Sequence, residues 1–568
     1  MDLRVQGDDL EQIYGKGEEK VAGEEIRPVI SASGDVQLDQ DGSVLQNALN
    51  HRRLNPRQIQ LTAIAGSIGA AVFVAIGDGV LSGPLCLLIA FVFWVSVVFS
   101  VAQCQIEIVT LFPFDGSFIR LATRMVDPAL GVAVGYNHFF AQTSYVVFEV
   151  TIINTLINYW GYHHSPAILI TVSLIFYLAI NVYRADLFGE TEFWLAMGKV
   201  LLAVGLIMYT FVTMVGGNPL HELAELSDCE DPTLICMDSI YGFRNWKTPG
   251  PWAGHGASGR LESFVNAINV AGFCVAGPEY ISMIAGEAKD PRRTVPRAFR
   301  TIMARLLLFF VGGALCVGIL VPSDDPILTG GTASTYAGGS PYVISMQRLH
   351  IPVLPSIVTA ALLTTIMSAG NAYTFNASRA LHALALEGQA PAFLRRLNKK
   401  GVPYLAVIVV MLLSCLAYLA LGSGTVKVLG WILNNWSVMA ITWIRFNRAM
   451  RVQGIDRKQF LPYASPYQPY AGYWAMFWAF LFLWVQGYAV FLRGKWDVAT
   501  FVFNYGIIAL AGGIGLGWKI FHRTPFHRSR DVDLKSDLEF FEILTAYYRK
   551  QKEEAPVTFK DKMMAKIF

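Results

Sequence analysis

TAIAGSIGAAVFVAIGDG at residues 62–79 and AINVAGFCVAGPEYISMIAGE at residues 267–287 are long apolar stretches, each broken in the middle by small residues. Each stretch begins a series of five hydrophobic segments. A membrane helix that is interrupted at matching places in two halves of a chain indicates the substrate site of a transporter. A soluble protein has no reason to build such a helix twice, so we expect a membrane transporter.

The composition agrees with a membrane protein. Of the 568 residues, 54% are hydrophobic and 15% are charged, whereas a soluble globular chain carries about 25% charged residues. The apolar residues form runs of roughly 18 to 25, the length that a helix needs to cross the hydrocarbon core. The basic residues lie between these runs rather than on one face, so the net charge of +3 gives no reason to expect a nucleic-acid partner.

The apolar runs predict an all-α integral membrane protein with about twelve transmembrane helices. Their expected ranges are 59–80, 84–110, 130–160, 166–183, 188–215, 261–286, 298–321, 352–386, 403–422, 424–446, 473–493 and 498–521.

The polar ends of the chain predict two tails around one transmembrane domain. Residues 1–53 predict a disordered N-terminal tail, residues 54–525 the domain, and residues 526–568 the C-terminal tail, where 533–551 has the apolar spacing of a short docked helix. An even number of spans places both tails on one side. Most loop Lys and Arg residues lie on that side, so we expect both tails in the cytoplasm.

The first break, GSIGAA at 66–71, offers backbone N–H groups to a ligand. Glycine weakens a helix by about 1 kcal/mol relative to alanine, and hydrocarbon cannot satisfy the freed backbone groups. The second half-helix would begin near Ala70 with its positive dipole end at the break, which favours a carboxylate. The structural alternative is close helix packing through small residues.

The second break, GFCVAG at 272–277, offers the opposite polarity. Pro278 lacks a backbone donor and frees a carbonyl one turn earlier, and free carbonyls suit an ammonium group or a cation. Phe273 lies at the break and could close over a ligand as a gate. The two breaks together predict a zwitterion, an amino acid, as the ligand.

Three ionisable residues inside the predicted spans are candidates for proton coupling: Glu149, Lys199 and Glu279. A charge inside a membrane is energetically expensive, and it marks a functional site by default. The alternative is a fixed structural ion pair or hydrogen bond.

Cys229 and Cys236 lie in the long external loop and could form a disulfide if that loop faces an oxidising compartment. Two free thiols are the alternative. No His, Asp and Glu cluster has metal-ligand spacing, and phosphate-loop and nucleophile-elbow motifs are missing. We therefore expect no metal, no cofactor and no enzyme activity.

Several motifs give the chain a specific family resemblance. It resembles a fungal amino-acid permease of the yeast amino-acid transporter family, within the amino acid–polyamine–organocation superfamily, over about 52–525. The motifs are GSIG at 66–69, EIVTLFPFDGSFIRLATRMVDPALG at 107–131, GETEFWLAMGKV at 189–200, AGEAKDPRRTVPRA at 285–298 and SAGNAYTFNASRALHALALEGQAPAFL at 368–394.

The resemblance implies a leucine-transporter-like core of two inverted five-helix repeats, about 59–215 and 261–446, with two extra helices at about 473–521 and with spans 1 and 6 unwound at mid-membrane. It implies that the substrate carboxylate meets the first break and the amino group meets carbonyls around Val270 to Phe273. The candidate substrate-binding residues are Ser67, Ile68, Gly69, Ala70, Ala71, Val270, Phe273 and Ala276.

The chain departs from the family pattern at both breaks. The family usually reads Ile-Gly-Thr-Gly-Leu-Phe where this chain has Ala70 and Ala71 after Ile68 and Gly69. The missing hydroxyl and the added methyl leave the range of substrates open. Pro278 within the family's Gly-x-Glu is also unusual.

These features predict proton-coupled amino-acid uptake by alternating access across the plasma membrane, with a vacuolar or other endomembrane as the alternative location. The rival functions are a nutrient sensor of the same fold and a proton-independent exchanger of amino compounds. Expected partners are an amino acid or related amino compound, protons and the lipid bilayer, with ubiquitin-ligase machinery as a candidate partner of the tails. The sequence leaves the oligomeric state and the identity of the amino acid open.

Overall fold

A computed structural model gives the architecture of the chain. It describes residues 52, 54–161, 165–183, 185–217, 241–329, 340–398, 400–418, 429–492, 494 and 496–554. Cys229 and Cys236 lie outside the described residues, as does nearly all of the predicted N-terminal tail.

The described part of the chain contains twelve helical spans, and the predicted fold class is confirmed. Spans 1 to 12 are Pro56–Ser67 continued by Ala71–Val80, Pro84–Leu111, Pro128–Ile157, Pro166–Tyr183, Ala185–Met214, Gly256–Cys274 continued by Pro278–Ile284, Pro291–Leu320, Leu354–Leu386, Tyr404–Tyr418, Leu429–Val452, Tyr470–Val485 and Val498–His522. Within the same described residues, eight helices are long and apolar enough to cross a membrane by length and composition.

Several helix starts differ from the sequence-based ranges because proline occupies the first helical position. Span 3 begins at Pro128 rather than 130, and span 7 begins at Pro291 rather than 298. Proline fits there since the first turn needs no donor from its nitrogen. The basic residues after Pro291 lie outside the predicted range of 298–321, but they form the first turns of the helix.

Spans 1 and 6 are both interrupted, as predicted. In span 1 the helix ends at Ser67 and resumes after Ile68 and Gly69. In span 6 the first half-helix continues to Cys274, so the break lies at 275–277. The prediction of 272–277 began three residues early, because Gly272 is accommodated within the helix.

The interior between the interrupted spans is formed by long helices. Span 3 and span 8 pack together along much of their length, and span 1 packs on span 5. Large aromatic side chains of the bundle are fully buried, including Trp94, Tyr177, Tyr280, Trp436 and Trp443. The two breaks therefore lie within a closely packed bundle.

The two ends of the described part of the chain, at Arg52 and at Leu538–Glu554, lie on the same side of the bundle. Arg52, assigned from sequence to the disordered tail, is buried and donates to Pro113 O at 3.0 Å and Ala285 O at 3.3 Å. The predicted C-terminal helix is present at Leu538–Glu554, and its Phe541 packs on Phe114 with ring centroids 5.5 Å apart. We call this face the tail side. The limits predicted for the domain and its two repeats stay predictions.

Candidate substrate site

At the break of span 1, both exposed peptide groups are bound by ionisable side chains from other spans. Lys199 Nζ of span 5 donates to Ile68 O at 2.8 Å. Glu149 Oε1 of span 3 accepts from Ala70 N at 3.1 Å. The carboxylate therefore lies where a helix N-terminus favours negative charge, and the ammonium lies on the carbonyl that the first half-helix leaves open.

Glycine is required at this break because neighbouring side chains approach the backbone closely. A Cβ atom on Gly66 would lie 2.7 Å from Tyr280 Cδ1. A Cβ atom on Gly69 would collide with Glu149 Oε1 and lie 3.0 Å from Tyr373 Oη. The GSIG motif thus brings spans 3, 6 and 8 within contact distance of the unwound backbone.

The break of span 6 is capped mainly by a residue of its own second half-helix. Glu279 Oε2 accepts from Gly277 N at 3.4 Å and from Trp436 Nε1 of span 10 at 3.3 Å. Pro278 begins the half-helix and has no N–H to satisfy. A carboxylate in the first turn stabilises this end through the helix dipole.

The helix end before this break places the open carbonyls later than predicted. Val275 N donates to Ala271 O at 2.9 Å, the last backbone hydrogen bond of this half-helix. The carbonyl groups of Gly272, Phe273 and Cys274 therefore accept no hydrogen bond from the backbone of the helix. Val270 lies one turn earlier, against Gly79. Carbonyls suitable for an ammonium group are therefore those of 272–274.

A small cavity lies between the two breaks. Its volume is about 20 Å³, room for about one water molecule. It is lined by residues of spans 1, 3, 6, 8 and 10: Gly66, Ser67, Gly69, Ala71, Tyr145, Phe148, Glu149, Phe273, Cys274, Ala276, Tyr280, Tyr373 and Ile432. An amino acid can enter only when some of these side chains move.

Aromatic side chains close the cavity. Phe273 meets Phe148 edge to face with ring centroids 5.5 Å apart. Tyr145 lies 5.1 Å from Tyr373 and 6.3 Å from Phe273, measured between ring centroids. Phe273, the gate candidate from the sequence, therefore belongs to an aromatic cluster. The other rings of this cluster come from span 3 and span 8.

Two buried polar atoms of the lining accept or donate no hydrogen bond among the described residues: Glu149 Oε2 and Tyr145 Oη. A buried polar atom without a partner is uncommon and needs an explanation. Both residues line the same cavity, so a polar ligand is the simplest partner for the pair.

The structure brings most of the sequence-predicted site residues together. Six of them line the cavity: Ser67, Gly69, Ala71, Glu149, Phe273 and Ala276. Ile68 and Ala70 instead present their backbone to Lys199 and Glu149. Glu279 lies at the second break, and Val270 lies against Gly79 as described above.

Sequence reasoning missed Glu192, a buried carboxylate of span 5. Ser368 Oγ and Asn371 Nδ2 of span 8 donate to its two oxygens at 2.7 and 2.5 Å. Asn181 Nδ2 of span 4 donates to Asn371 Oδ1 at 2.7 Å. The signal was present, since Glu192 precedes Lys199 by seven residues, two helical turns on one face. The charges of Glu192 and Glu149 both act on Lys199.

Sequence reasoning also missed the aromatic lining at Tyr145, Tyr280 and Tyr373. One aromatic residue among many in a membrane span carries no signal that it faces a cavity. Among the residues that the structure describes, no group of three His, Cys, Asp or Glu side chains could hold a metal ion.

An interrupted-helix cavity at the centre of a twelve-span bundle defines a membrane transporter of small polar molecules. Comparison with known proteins identifies the family. The family described as "Amino acid permease" matches residues 58–530, and the chain belongs to it. The predicted resemblance to fungal amino-acid permeases is thereby confirmed.

The relatives are permeases of fungi. The chain is 36% identical over 543 residues to the general amino acid permease AGP2 of Saccharomyces cerevisiae, covering 90% of this chain and 88% of that relative. It is 34% identical to a proline-specific permease of Emericella nidulans, over 86% and 88% of the two chains. It is 30% identical to a lysine-specific permease of Saccharomyces cerevisiae, over 91% and 83%. The chain is accordingly a multi-pass amino-acid transporter and not an enzyme.

Proposed function

We propose that the chain carries an amino acid together with a proton across the plasma membrane by alternating access, with both tails in the cytoplasm. The observation that carries this proposal is the hydrogen bond from Ala70 N to Glu149 Oε1 at 3.1 Å. It places a titratable carboxyl on the same N–H group that a substrate carboxylate would use.

Competition between Glu149 and the substrate carboxylate for Ala70 N would couple substrate binding to protonation of Glu149. A proton that binds Glu149 from outside removes its negative charge and weakens its hold on Ala70 N, because charged acceptors form the stronger hydrogen bonds. The substrate carboxylate then takes Ala70 N. On the inner side, loss of substrate and loss of the proton return Glu149 to its bond. One proton would therefore travel with each substrate molecule.

The amino group of the substrate binds the other break in this proposal. The carbonyls of 272–274 end a half-helix and carry its negative dipole end, and Tyr145 and Phe273 stand beside them. Lys199 stays on Ile68 O and offsets the charge of the two buried carboxylates. Movement of Phe273 away from Phe148 opens the cavity to the substrate.

Proton movement provides the driving force. Each positive charge that moves inward through the membrane potential gains about 2.3 kcal/mol per 100 mV. Permease relatives that differ in substrate, one general, one for proline and one for lysine, support an amino-acid substrate without selecting its side chain.

The experiment is uptake of radiolabelled amino acids by a host strain that lacks its own permeases. We expect accumulation against a gradient that rises as external pH falls and collapses with a protonophore. Uptake that does not respond to external pH or to the protonophore would contradict proton coupling and indicate an exchanger of amino compounds. Binding of the amino acid without its accumulation would indicate a nutrient sensor. Competition by a panel of amino acids and related amino compounds then identifies the substrate, and a fluorescent tag tests the plasma-membrane location.

A further inference from the structure

An open groove lies on the tail side, away from the substrate cavity. It is formed by the end of span 4 and the loop that precedes span 9, and its volume is about 510 Å³, within the range of about 300 to 1,000 Å³ for small-molecule sites. The residues that line it are Leu178, Ala179, Val182, Tyr183, Asn398 and Lys400. We call it the Tyr183–Lys400 groove.

The position of the groove on the tail side follows from its neighbours. Span 4 ends at Tyr183 directly before span 5 begins. Near the start of span 5, Glu190 pairs with Arg57 at 3.2 Å, and Arg57 lies in the first turn of span 1, close to Arg52 on the tail side. The groove therefore opens at the membrane surface that faces the tails.

The polar rim of the groove is held in place by Asn398. Its Nδ2 donates to Val182 O at 2.9 Å, while its Oδ1 accepts from Lys400 N at 2.9 Å and Val402 N at 3.0 Å. These bonds fix the loop on the end of span 4. Lys400 Nζ lies 3.4 Å from the centroid of the Tyr183 ring, a cation–π contact that positions the ammonium at the mouth.

The walls of the groove continue the lipid-facing surface of span 4. Along that helix Ile168, Val172 and Ile175 are 53%, 59% and 59% exposed. In a membrane-spanning helix such exposed apolar side chains contact acyl chains. The stripe runs toward Tyr183, itself 56% exposed, an aromatic residue at the level where lipid headgroups begin.

We propose that the Tyr183–Lys400 groove binds an anionic phospholipid of the leaflet on the tail side. One acyl chain lies between Leu178, Ala179 and Val182, and the negatively charged headgroup lies on Lys400. Charge complementarity selects the anionic lipid, since the six lining residues include one cation and no carboxylate. The tail side also carries most of the loop Lys and Arg. In the proposed orientation, on which this inference rests, that side faces the cytoplasmic leaflet, which is rich in anionic lipid.

The test compares lipid binding by the full purified chain in vesicles of phosphatidylcholine with and without phosphatidylserine, using spin-labelled lipids of both kinds. Wild-type protein should retain labelled phosphatidylserine in preference to phosphatidylcholine. Lys400→Gln should reduce this preference about fivefold, the equivalent of about 1 kcal/mol for one lysine at an anionic surface. The matched control is Lys458→Gln, which removes an exposed tail-side lysine outside the groove and should reduce the preference much less than Lys400→Gln.

A second variant tests the acyl chain separately. Ala179→Trp fills the apolar wall while it keeps Lys400, and its folding is checked by size-exclusion elution and thermal unfolding. It should lower the retention of both labelled lipids. The proposal is overturned if Lys400→Gln and Lys458→Gln behave alike, if Ala179→Trp retains lipid as wild type does, or if inorganic phosphate alone displaces the bound phosphatidylserine.

Discussion

The two interrupted spans differ in which side chains bind the backbone groups left free at the break. At the first break, the free peptide groups are bound by Glu149 and Lys199, which come from spans 3 and 5. At the second, Glu279 caps the half-helix to which it belongs, with help from Trp436. The first break therefore depends on distant charges that a ligand or a proton can change, whereas the second is largely self-contained.

One contact joins the two breaks directly. Cys274 Sγ donates to Ala71 O at 3.2 Å, and both residues line the cavity. The two breaks are thus in direct contact through one hydrogen bond. Under the proposed mechanism, the proton and the substrate carboxylate would act at the span 1 break, and the span 6 break would hold the amino group.

Glu149→Gln should give the largest effect, loss of accumulation to background. The amide keeps the size of the side chain and an oxygen acceptor for Ala70 N, but it cannot take up or release a proton. Radiolabelled uptake across a range of external pH measures this. Glu539→Gln, an exposed carboxyl on the C-terminal helix, is the control. Uptake by Glu149→Gln that still rises as pH falls would exclude this carboxyl as the proton carrier.

Lys199→Met should lower stability by about 3 to 5 kcal/mol, because removal of one partner leaves a buried charge uncompensated. Thermal unfolding in detergent would show a lower midpoint. Lys458→Met, at an exposed site, should stay within about 0.5 kcal/mol of wild type.

A double variant shows whether charge compensation is the cause. Adding Glu192→Gln to Lys199→Met removes the uncompensated carboxylate on the same span, so part of the lost stability should return. A double variant less stable than Lys199→Met would mean that Glu192 acts mainly through its bonds to Ser368 and Asn371.

Gly69→Ala and Gly277→Ala compare the two breaks directly. A methyl group on Gly69 collides with Glu149 and crowds Tyr373, whereas one on Gly277 meets only the side chain of Ile302, at 3.3 Å from its Cδ1 atom. Overpacking at Gly69 should cost about 1 to 3 kcal/mol, seen as reduced uptake, and Gly277→Ala should lose less. Gly198→Ala, with nothing within 4 Å of its added methyl, is the control. Equal losses at both breaks would contradict the comparison.

The residues that could be predicted from sequence are those whose local pattern breaks a rule. Glycines inside an apolar span violate helix propensity, and charged residues there violate hydrophobicity, so the breaks, Glu149 and Lys199 were all recognisable. The limits of the second break were harder to predict. Gly272 remains helical, and the break itself depends on Gly277 and Pro278.

The contacts that complete the site could not be predicted. Tyr145, Tyr280 and Tyr373 come from three different spans and meet only in the folded bundle. Likewise, the occupancy of Ala70 N by Glu149 connects residues 79 positions apart. One sequence specifies which residues are unusual for a membrane helix, but the pairing between spans requires the three-dimensional packing.

Glu279→Gln should have a small effect compared with the same change at Glu149. The amide oxygen can still accept from Gly277 N and Trp436 Nε1, so the cap of the second half-helix persists. We expect uptake to retain its dependence on external pH, with at most about a tenfold loss of rate, equivalent to about 1.4 kcal/mol. If uptake by this variant ignored pH while Glu149→Gln remained pH-dependent, the roles assigned to the two breaks would be reversed.

Ala71→Gly should produce the smallest effect, a change in substrate range with little change in rate. The Ala71 methyl lines the cavity beside Phe273 and Cys274, and its removal makes room for about one CH₂ group, worth about 0.8 kcal/mol or roughly fourfold in preference for a larger side chain. Competition of uptake by amino acids of increasing size measures this. Ala75→Gly, on the same helical turn but outside the lining, carries the same helix-propensity change and should leave the profile unaltered. Identical competition profiles for wild type and Ala71→Gly would mean that the methyl does not limit the substrate, and that selectivity rests on the aromatic residues of spans 3, 6 and 8.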